Sequence, residues 1–404
     1  MRNNYLERIT KLSFLGLALL PLLKENLNSI LIIICALLTL VYNFQSNEKK
    51  KSSPQFWILT LPFWMFLLHE LLTQDNSFER VLVHLPFLIF PLLFAFKPSY
   101  INNDLKRKSL FVFQISVLLQ CFIYVVFFLV NNPISKFFYV RNNIPFFREY
   151  VSENYVFEIH PTYFSSFLLV SFTVSLFSLI KKKRNIFAIL NMAIMMFFIL
   201  LFSSRMIVLT LLLTIVFSGI YLILQRGIKK SVFIIFSSLV LLAILIFPLK
   251  NVIGKRFTEI KTEINKPIVG EYYNSTNTRI AILKCSFIVL KEAPFFGYGN
   301  LLQEKLNNCY KENNNSNFYL KQTFNTHNYY INLVAYGGWI FFLLFIIYLF
   351  YIYKKIKYSA LGLFLGAQFL LINITENYFS RHYGIVLFVY LISMFIFMKE
   401  RETE

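Results

Sequence analysis

Long apolar runs recur along the whole chain, and short charged stretches separate them. Roughly 20 apolar residues at ~1.5 Å rise cross the hydrocarbon of a bilayer, so the pattern predicts an all-α polytopic membrane protein of about twelve transmembrane helices. The spans fall at residues 7–23, 26–45, 56–73, 81–96, 109–131, 161–180, 185–202, 206–224, 231–250, 326–353, 358–375 and 383–398. From Asn185 to Leu224 the only charge is Arg205, and a run of that length is too long for one span. Ser203-Ser204-Arg205 is its one polar place to reverse. Arg205 is therefore expected at the tip of a tight hairpin, at the membrane surface, where a charge is costly and needs a partner. It either snorkels to the interface or holds a ligand. The first apolar run ends at Lys24 without a small-residue cleavage site, which reads as a retained span rather than a cleaved signal.

Of the 404 residues, 57% are hydrophobic and 15% charged, against about half and a quarter in soluble domains. That balance argues against a soluble enzyme, a disordered tail or a fibrous repeat. The formal charge of +20 would suit a nucleic-acid binder, but its placement follows topology instead. With twelve spans, both termini and the connections Glu48–Lys51, Lys97–Lys108, Lys181–Arg184, Arg226–Lys230 and Lys354–Lys357 share one side. That side carries 22 of the 40 Lys and Arg but only 6 of the 20 Asp and Glu. Basic connections stay cytoplasmic, so both termini are expected inside and no nucleic-acid partner is expected.

Two outward connections are long, about Asn132–His160 and 251–325; a long loop among trimmed ones is functional or disordered. Residues 1–160 are read as N-terminal helices with the first outward loop, and 161–404 as a core that includes loop 251–325. In that loop Ile280, Leu283, Phe287 and Leu290 recur at helical spacing. The capping residues Asn274–Asn277 precede them, and Pro294 with Gly297-Tyr298-Gly299 ends the helix. Asn307 to Asn317 is Asn-rich and expected to be exposed. The loop closes on Asn325-Thr326-His327-Asn328, which puts His327 at the outer membrane boundary. His69, His84, His160 and His382 also fall near outward ends, but no pair has metal-ligand spacing and no phosphate-binding Gly-rich loop occurs. No metal or cofactor is expected. Cys35 and Cys121 lie in spans, whereas Cys285 and Cys309 lie in the outward loop; an oxidising compartment predicts a disulfide between these two.

The order of features is distinctive. Ser204-Arg205 sits at a hairpin tip, and a long loop one hairpin later contains Arg279, a helix and Pro294-Phe-Phe-Gly-Tyr-Gly299. His327-Asn328 then opens a span that runs into Tyr336-Gly337-Gly338. This set resembles the O-antigen ligase and O-antigen polymerase superfamily of polytopic bacterial glycosyltransferases, whose Pro-x-x-Gly-x-Gly turn and His-Asn segment it shares over approximately Ala188–Phe350. Cys285 and Cys309-Tyr310 resemble a subset with two loop cysteines. Ile282 and Leu283 stand where many relatives carry an aromatic residue.

The resemblance implies a fold of the GT-C type in the bacterial inner membrane. It also implies transfer of a glycan from undecaprenyl diphosphate to an acceptor hydroxyl at the periplasmic face, on lipid A core, another glycan or a protein. Arg205 and Arg279 become donor-diphosphate binders, with Arg80, beside Glu79, as a third, and His327 becomes the general base. The residue types suit the chemistry. Guanidinium forks match phosphate oxygens, and an imidazole accepts a proton near neutral pH. Two guanidinium groups in place of a divalent cation make the expected reaction metal-independent, with inversion at the anomeric carbon. His160, Tyr163 and Asn328 are candidates for an acceptor groove, while Glu376 and Arg381, in the last outward turn, are expected to pair with each other. Bland readings stand beside these: lipid headgroups for Arg279, a backbone carbonyl for His327, packing for the rest. A polymerase joining lipid-linked repeat units has the same chemistry. A lipid-linked oligosaccharide flippase is the rival of another class; it would show similar halves and midplane polar groups, and the sequence has no internal repeat.

Overall fold

The structure, a computed structural model, describes residues 2–45, 55–73, 78–95, 98, 100–141, 144–153, 159–181, 185–226, 244, 246–247, 249–255, 258, 261, 264, 275–314, 319 and 323–398. The N-terminal part comprises α1 (Arg2–Gly16), α2 (Glu25–Gln45), α3 (Gln55–Leu59), α4 (Leu61–Thr73), α5 (Glu79–His84), α6 (Pro86–Ala95) and α7 (Asn103–Asn131). After a two-residue antiparallel ladder of β1 (Val140–Arg141) and β2 (Ile144–Pro145) come α8 (Phe146–Glu153), α9 (Pro161–Lys181), α10 (Ile186–Phe202) and α11 (Arg205–Arg226). The chain continues with α12 (Ser275–Lys291), α13 (Leu302–Asn314), α14 (Tyr329–Ile356), α15 (Ala360–Ile372) and α16 (His382–Phe397).

Five helices, α2, α7, α9, α11 and α14, are long and apolar enough to cross a membrane, and α4, α10, α15 and α16 are apolar but shorter. The architecture is all-α and membrane-like. Three expected spans are broken helices. Residues 7–23 form α1 and a 3-10 turn at Leu17–Leu22, 56–73 form α3 and α4, and 81–96 form α5 and α6. Pro62 and Pro86 stand at the second and third breaks, where a proline lacks the N–H and disfavours helix in the residue before it. The span expected at 231–250 lies largely outside the described residues.

The axle of the bundle is α9, whose spanning window is the most buried of the five. Its small polar side chains are bonded across helices. Gln114 of α7 donates to Ser175 at 2.7 Å, Asn191 of α10 to Ser175 at 2.7 Å and Ser171 at 3.0 Å, and Gln368 of α15 to Thr173 at 2.6 Å. Gln368 also reaches Thr214 of α11 at 2.9 Å. Such interhelical bonds stabilise packing where no water competes. By contrast α2 exposes Leu27, Ile30, Ile34, Leu37 and Val41 along one stripe, the composition of a lipid-facing surface.

The hairpin tip falls where the sequence puts it, with Ser203 at φ 46° and Ser203 N–H bonded to Ile199 O at 3.0 Å. Its arms diverge rather than pair tightly, because α10 packs mainly on α9 while α11 packs on α15 and α9. The loop differs from expectation in two ways. The helix begins at Ser275, so the capping stretch from Ser275 to Asn277 is its first turn. Its buried face is Ala281, Ile282, Cys285 and Val289, while Ile280, Leu283 and Phe287 are exposed, because small and branched side chains allow the close approach to α13 and α14. The Asn-rich stretch starts as helix α13, with Tyr310 and Asn314 buried. A disulfide joins Cys285 to Cys309, with Cα atoms 5.7 Å apart.

Candidate active site

The first functional side chain is carried by the 326–329 segment. Asn328 caps α14, its Oδ1 accepting from Ile331 N–H at 3.0 Å, while its Nδ2 donates to Ile374 O at 2.9 Å. Thr326 Oγ1 donates to Asn377 Oδ1 at 3.2 Å, and Tyr329 N–H to Asn373 O at 3.0 Å. These bonds stitch the start of α14 to the turn between α15 and α16. Between them His327 takes φ 45°, a left-handed conformation that is uncommon for a residue with a side chain. Its N–H is held by Asn325 Oδ1 at 2.9 Å. Asn328 thus clasps two segments together while staying partly exposed.

The stitched turn carries Glu376, and here the structure corrects the expected Glu376–Arg381 pair. Glu376 Oε1 instead accepts from Arg279 Nη2 at 3.1 Å, and Oε2 lies 3.4 Å from His327 Nδ1. That second distance is long for a hydrogen bond. The Glu376 side chain is 13% exposed, Arg279 41% and His327 31%. One carboxylate therefore joins the two residues singled out from the sequence. Burial raises the pKa of Glu376, but the His327 contact and the Arg279 and His160 charges outweigh it and hold the carboxyl below its ordinary value.

Arg205 arrives from the hairpin tip, its Nη1 donating to Thr276 Oγ1 at 2.9 Å. Thr276 stands one turn before Arg279 on α12, so the two guanidinium groups converge on neighbouring turns of one helix. His160, at the mouth of α9, is open to solvent on one side. Burial on its other side, then the charge of Arg148, pulls its pKa down to about 4, with His327 and Arg381 acting the same way and Glu376 opposing. Tyr163 stacks on Tyr378 at 5.3 Å. Arg148, which the sequence did not single out, donates to Phe202 O at 2.8 Å and ties α8 to the hairpin tip. It is positioned by aromatic packing of Phe147 on Phe128, Phe198 and Phe202.

Arg80 is placed in a second, more buried cluster. Its guanidinium lies 4.4 Å from the Tyr336 ring centroid. The Tyr336 hydroxyl donates to Glu70, which also accepts from Asn300 at 3.1 Å. Among the described residues no ion pair or hydrogen bond links Arg80 to Arg279, His327 or Glu376. This cluster docks the Pro294–Gly299 turn on α4 and α14: Tyr298 N–H bonds to Ala335 O at 2.8 Å, and His69 Nε2 lies 3.3 Å from Phe296 O. Gly297 and Gly338 have φ of 74° and 73°, and a Cβ on either would overlap backbone of the other segment, Tyr336 O and Phe295 O respectively. The two Gly motifs read from the sequence are thus the two halves of one close backbone contact.

No curated protein matches the chain. Residues 190–346, the stretch that holds Arg205, Arg279, His327, the disulfide and both glycines, match the O-antigen ligase family, and that match supports the resemblance to the O-antigen ligase-like superfamily.

Proposed function

We propose that the chain is a membrane glycosyltransferase of the inner membrane. It moves a glycan from undecaprenyl diphosphate to an acceptor hydroxyl at the periplasmic face, as an O-antigen ligase does. The observation that carries this reading is the Arg279–Glu376–His327 chain, with Arg205 bonded to Thr276, one turn before Arg279 on α12. In the resting site Glu376 occupies the fork of Arg279 as a phosphate oxygen would. When the donor's diphosphate takes that place, each charge-assisted hydrogen bond from Arg205 and Arg279 contributes about 1.5–3 kcal/mol. The buried Nδ1 of His327 faces Glu376, so a proton there leaves the lone pair of Nε2 for the acceptor. Nε2 removes the hydroxyl proton as that oxygen attacks the anomeric carbon. The bond from that carbon to the diphosphate oxygen breaks on the opposite face, and the diphosphate leaves with the electron pair. Inversion follows. The growing negative charge meets the two guanidinium groups, which act where a divalent cation otherwise would.

The test is a gel profile of surface lipopolysaccharide and of carrier-linked glycan in a deletion strain, complemented by wild type or by His327→Ala. A bare core with long polymer held on the carrier supports the ligase reading. A core bearing a single repeat unit converts it to a polymerase. An unchanged profile moves the acceptor to protein or sinks the assignment.

A further inference from the structure

We infer a second binding site, for an anionic phospholipid, at the end of the bundle away from the Arg279–Glu376–His327 chain. A cavity of about 400 Å³ opens between α7, α9, α10, α15 and α16. Two helices measure its separation from the first site. The 17 residues of α10 begin at the cavity beside Asn185 and end at the hairpin tip. Likewise α15 begins there beside Ser359 and ends next to the turn of Glu376.

One part of the lining is built for an anion. Arg107, 74% exposed, lines it, together with Lys106, which is 6% exposed and whose Nζ donates to Met398 O at 2.6 Å. Three helices also start at this end, each with a side-chain cap: Asn102 to Leu105 N–H at 3.0 Å, Asn185 to Ala188 N–H at 3.2 Å and Ser359 to Gly362 N–H at 3.3 Å. The remaining first-turn N–H groups of a helix have no partner within it, and its N-terminus favours negative charge. Phe187 and Leu361, in two of those first turns, line the cavity. Asp104 is the acidic neighbour, and it is drawn to Lys108 at 2.7 Å more closely than to Arg107 at 3.6 Å. The connections Lys97–Lys108 and Lys181–Arg184 carry eight basic residues against that one carboxylate.

The other part of the lining is apolar, formed by Leu110, Phe111, Phe177 and Phe187, and Phe111 is half exposed on the outside of α7. A soluble anion would use the cations and leave this surface bare. A phospholipid uses both, its phosphate at Arg107 with the Lys106 charge behind it and its chains over Phe111 and Phe187. Basic pockets between membrane helices bind such headgroups, and an ethanolamine group would bring an ammonium to the same cations.

The test uses the full-length protein in detergent, with native mass spectrometry after adding phosphatidylglycerol or phosphatidylethanolamine of matched chains. One phosphatidylglycerol should be retained about thirtyfold more strongly, the scale that two basic groups at ~1 kcal/mol each give at a membrane surface. Arg107→Glu should erase the preference, since Arg107 is 74% exposed and not needed for packing, and Leu361→Trp should lower retention by filling the space. Equal retention of the two lipids, or a preference blind to both variants, overturns the proposal. Retention that ignores Arg107→Glu but rises on deleting residues 399–404 assigns the cavity to the chain's own tail and equally overturns it.

Discussion

Glu376 lies among Arg279, His327 and His160, and those neighbours decide its charge. A carboxyl held below its ordinary value stabilises the fold above the usual carboxylate range, and that stability is lost as pH falls through the native pKa. The link between α12, the start of α14 and the α15–α16 turn should therefore persist at pH 5 and weaken only below the ordinary value of 4.5, read by limited proteolysis of the loop across pH. Glu376→Gln keeps the size and removes the charge. We expect kcat to fall roughly 10²-fold, at the low end of what a general base contributes, with the donor KM not raised because Arg279 is released. A raised KM with unchanged kcat would make Glu376 a donor contact instead. Arg279→Lys keeps a charge but loses the fork, and should raise the donor KM by about tenfold or more in the same assay. His160 has its pKa pulled down to about 4, so it is neutral from about pH 5 upward. His160→Asn should leave the shape of the pH–rate profile unchanged in that range; a shifted limb would assign His160 a proton-transfer role.

At the level of elements, the docking of the Pro294–Gly299 turn on the kink of α14 rests on two glycines. Gly297→Ala or Gly338→Ala forces a side chain into left-handed backbone, at about 1–3 kcal/mol, and into the carbonyl facing it. Either variant should melt lower in detergent than wild type, and a variant with unchanged melting would refute the contact. Breaking Cys285–Cys309, which closes a separation of 24 residues, should cost about 3 kcal/mol in the chain-entropy model. The turn and its glycines were legible because their chemistry is local: only glycine tolerates that backbone. The hairpin tip was legible for a similar reason, since Arg205 interrupts an otherwise uncharged run. The partner of Glu376 was not. Arg279 stands 97 residues before it, and at the sequence level Arg381, five positions on, looked the nearer cation. The faces of α12 were illegible for another reason: it is apolar on both sides, so periodicity could not say which side packs. Arg148 had no motif around it, and only the aromatic packing of α8 brings it to the hairpin tip.

At the scale of the molecule, two ends have opposite character. One gathers Arg205, Arg279, His327, Glu376 and His160, joined by contacts across α9, α11, α12 and α14. The other gathers Lys106, Arg107, Asn185 and Ser359 around a cavity. The two groups lie at opposite ends of the bundle, since α10 and α15 each run from one to the other. A flippase would need its ionisable groups near mid-depth. Here the buried polar contacts in the middle of the bundle are the neutral ones of Gln114, Asn191, Gln368 and the Ser and Thr of α9. Basic connections are retained in the cytoplasm, so our proposal has the site end facing outward. Two exposed positions test this. In intact cells Glu153→Cys, at the end of α8, should react with a membrane-impermeant maleimide, and Tyr358→Cys, between α14 and α15, should react only after the membrane is opened. The native Cys35 and Cys121 are buried and will not interfere. The reverse pattern would put Arg279 and His327 on the cytoplasmic side, where a periplasmic transfer from a lipid-linked donor cannot take place. It would remove the catalytic proposal while leaving the fold as described.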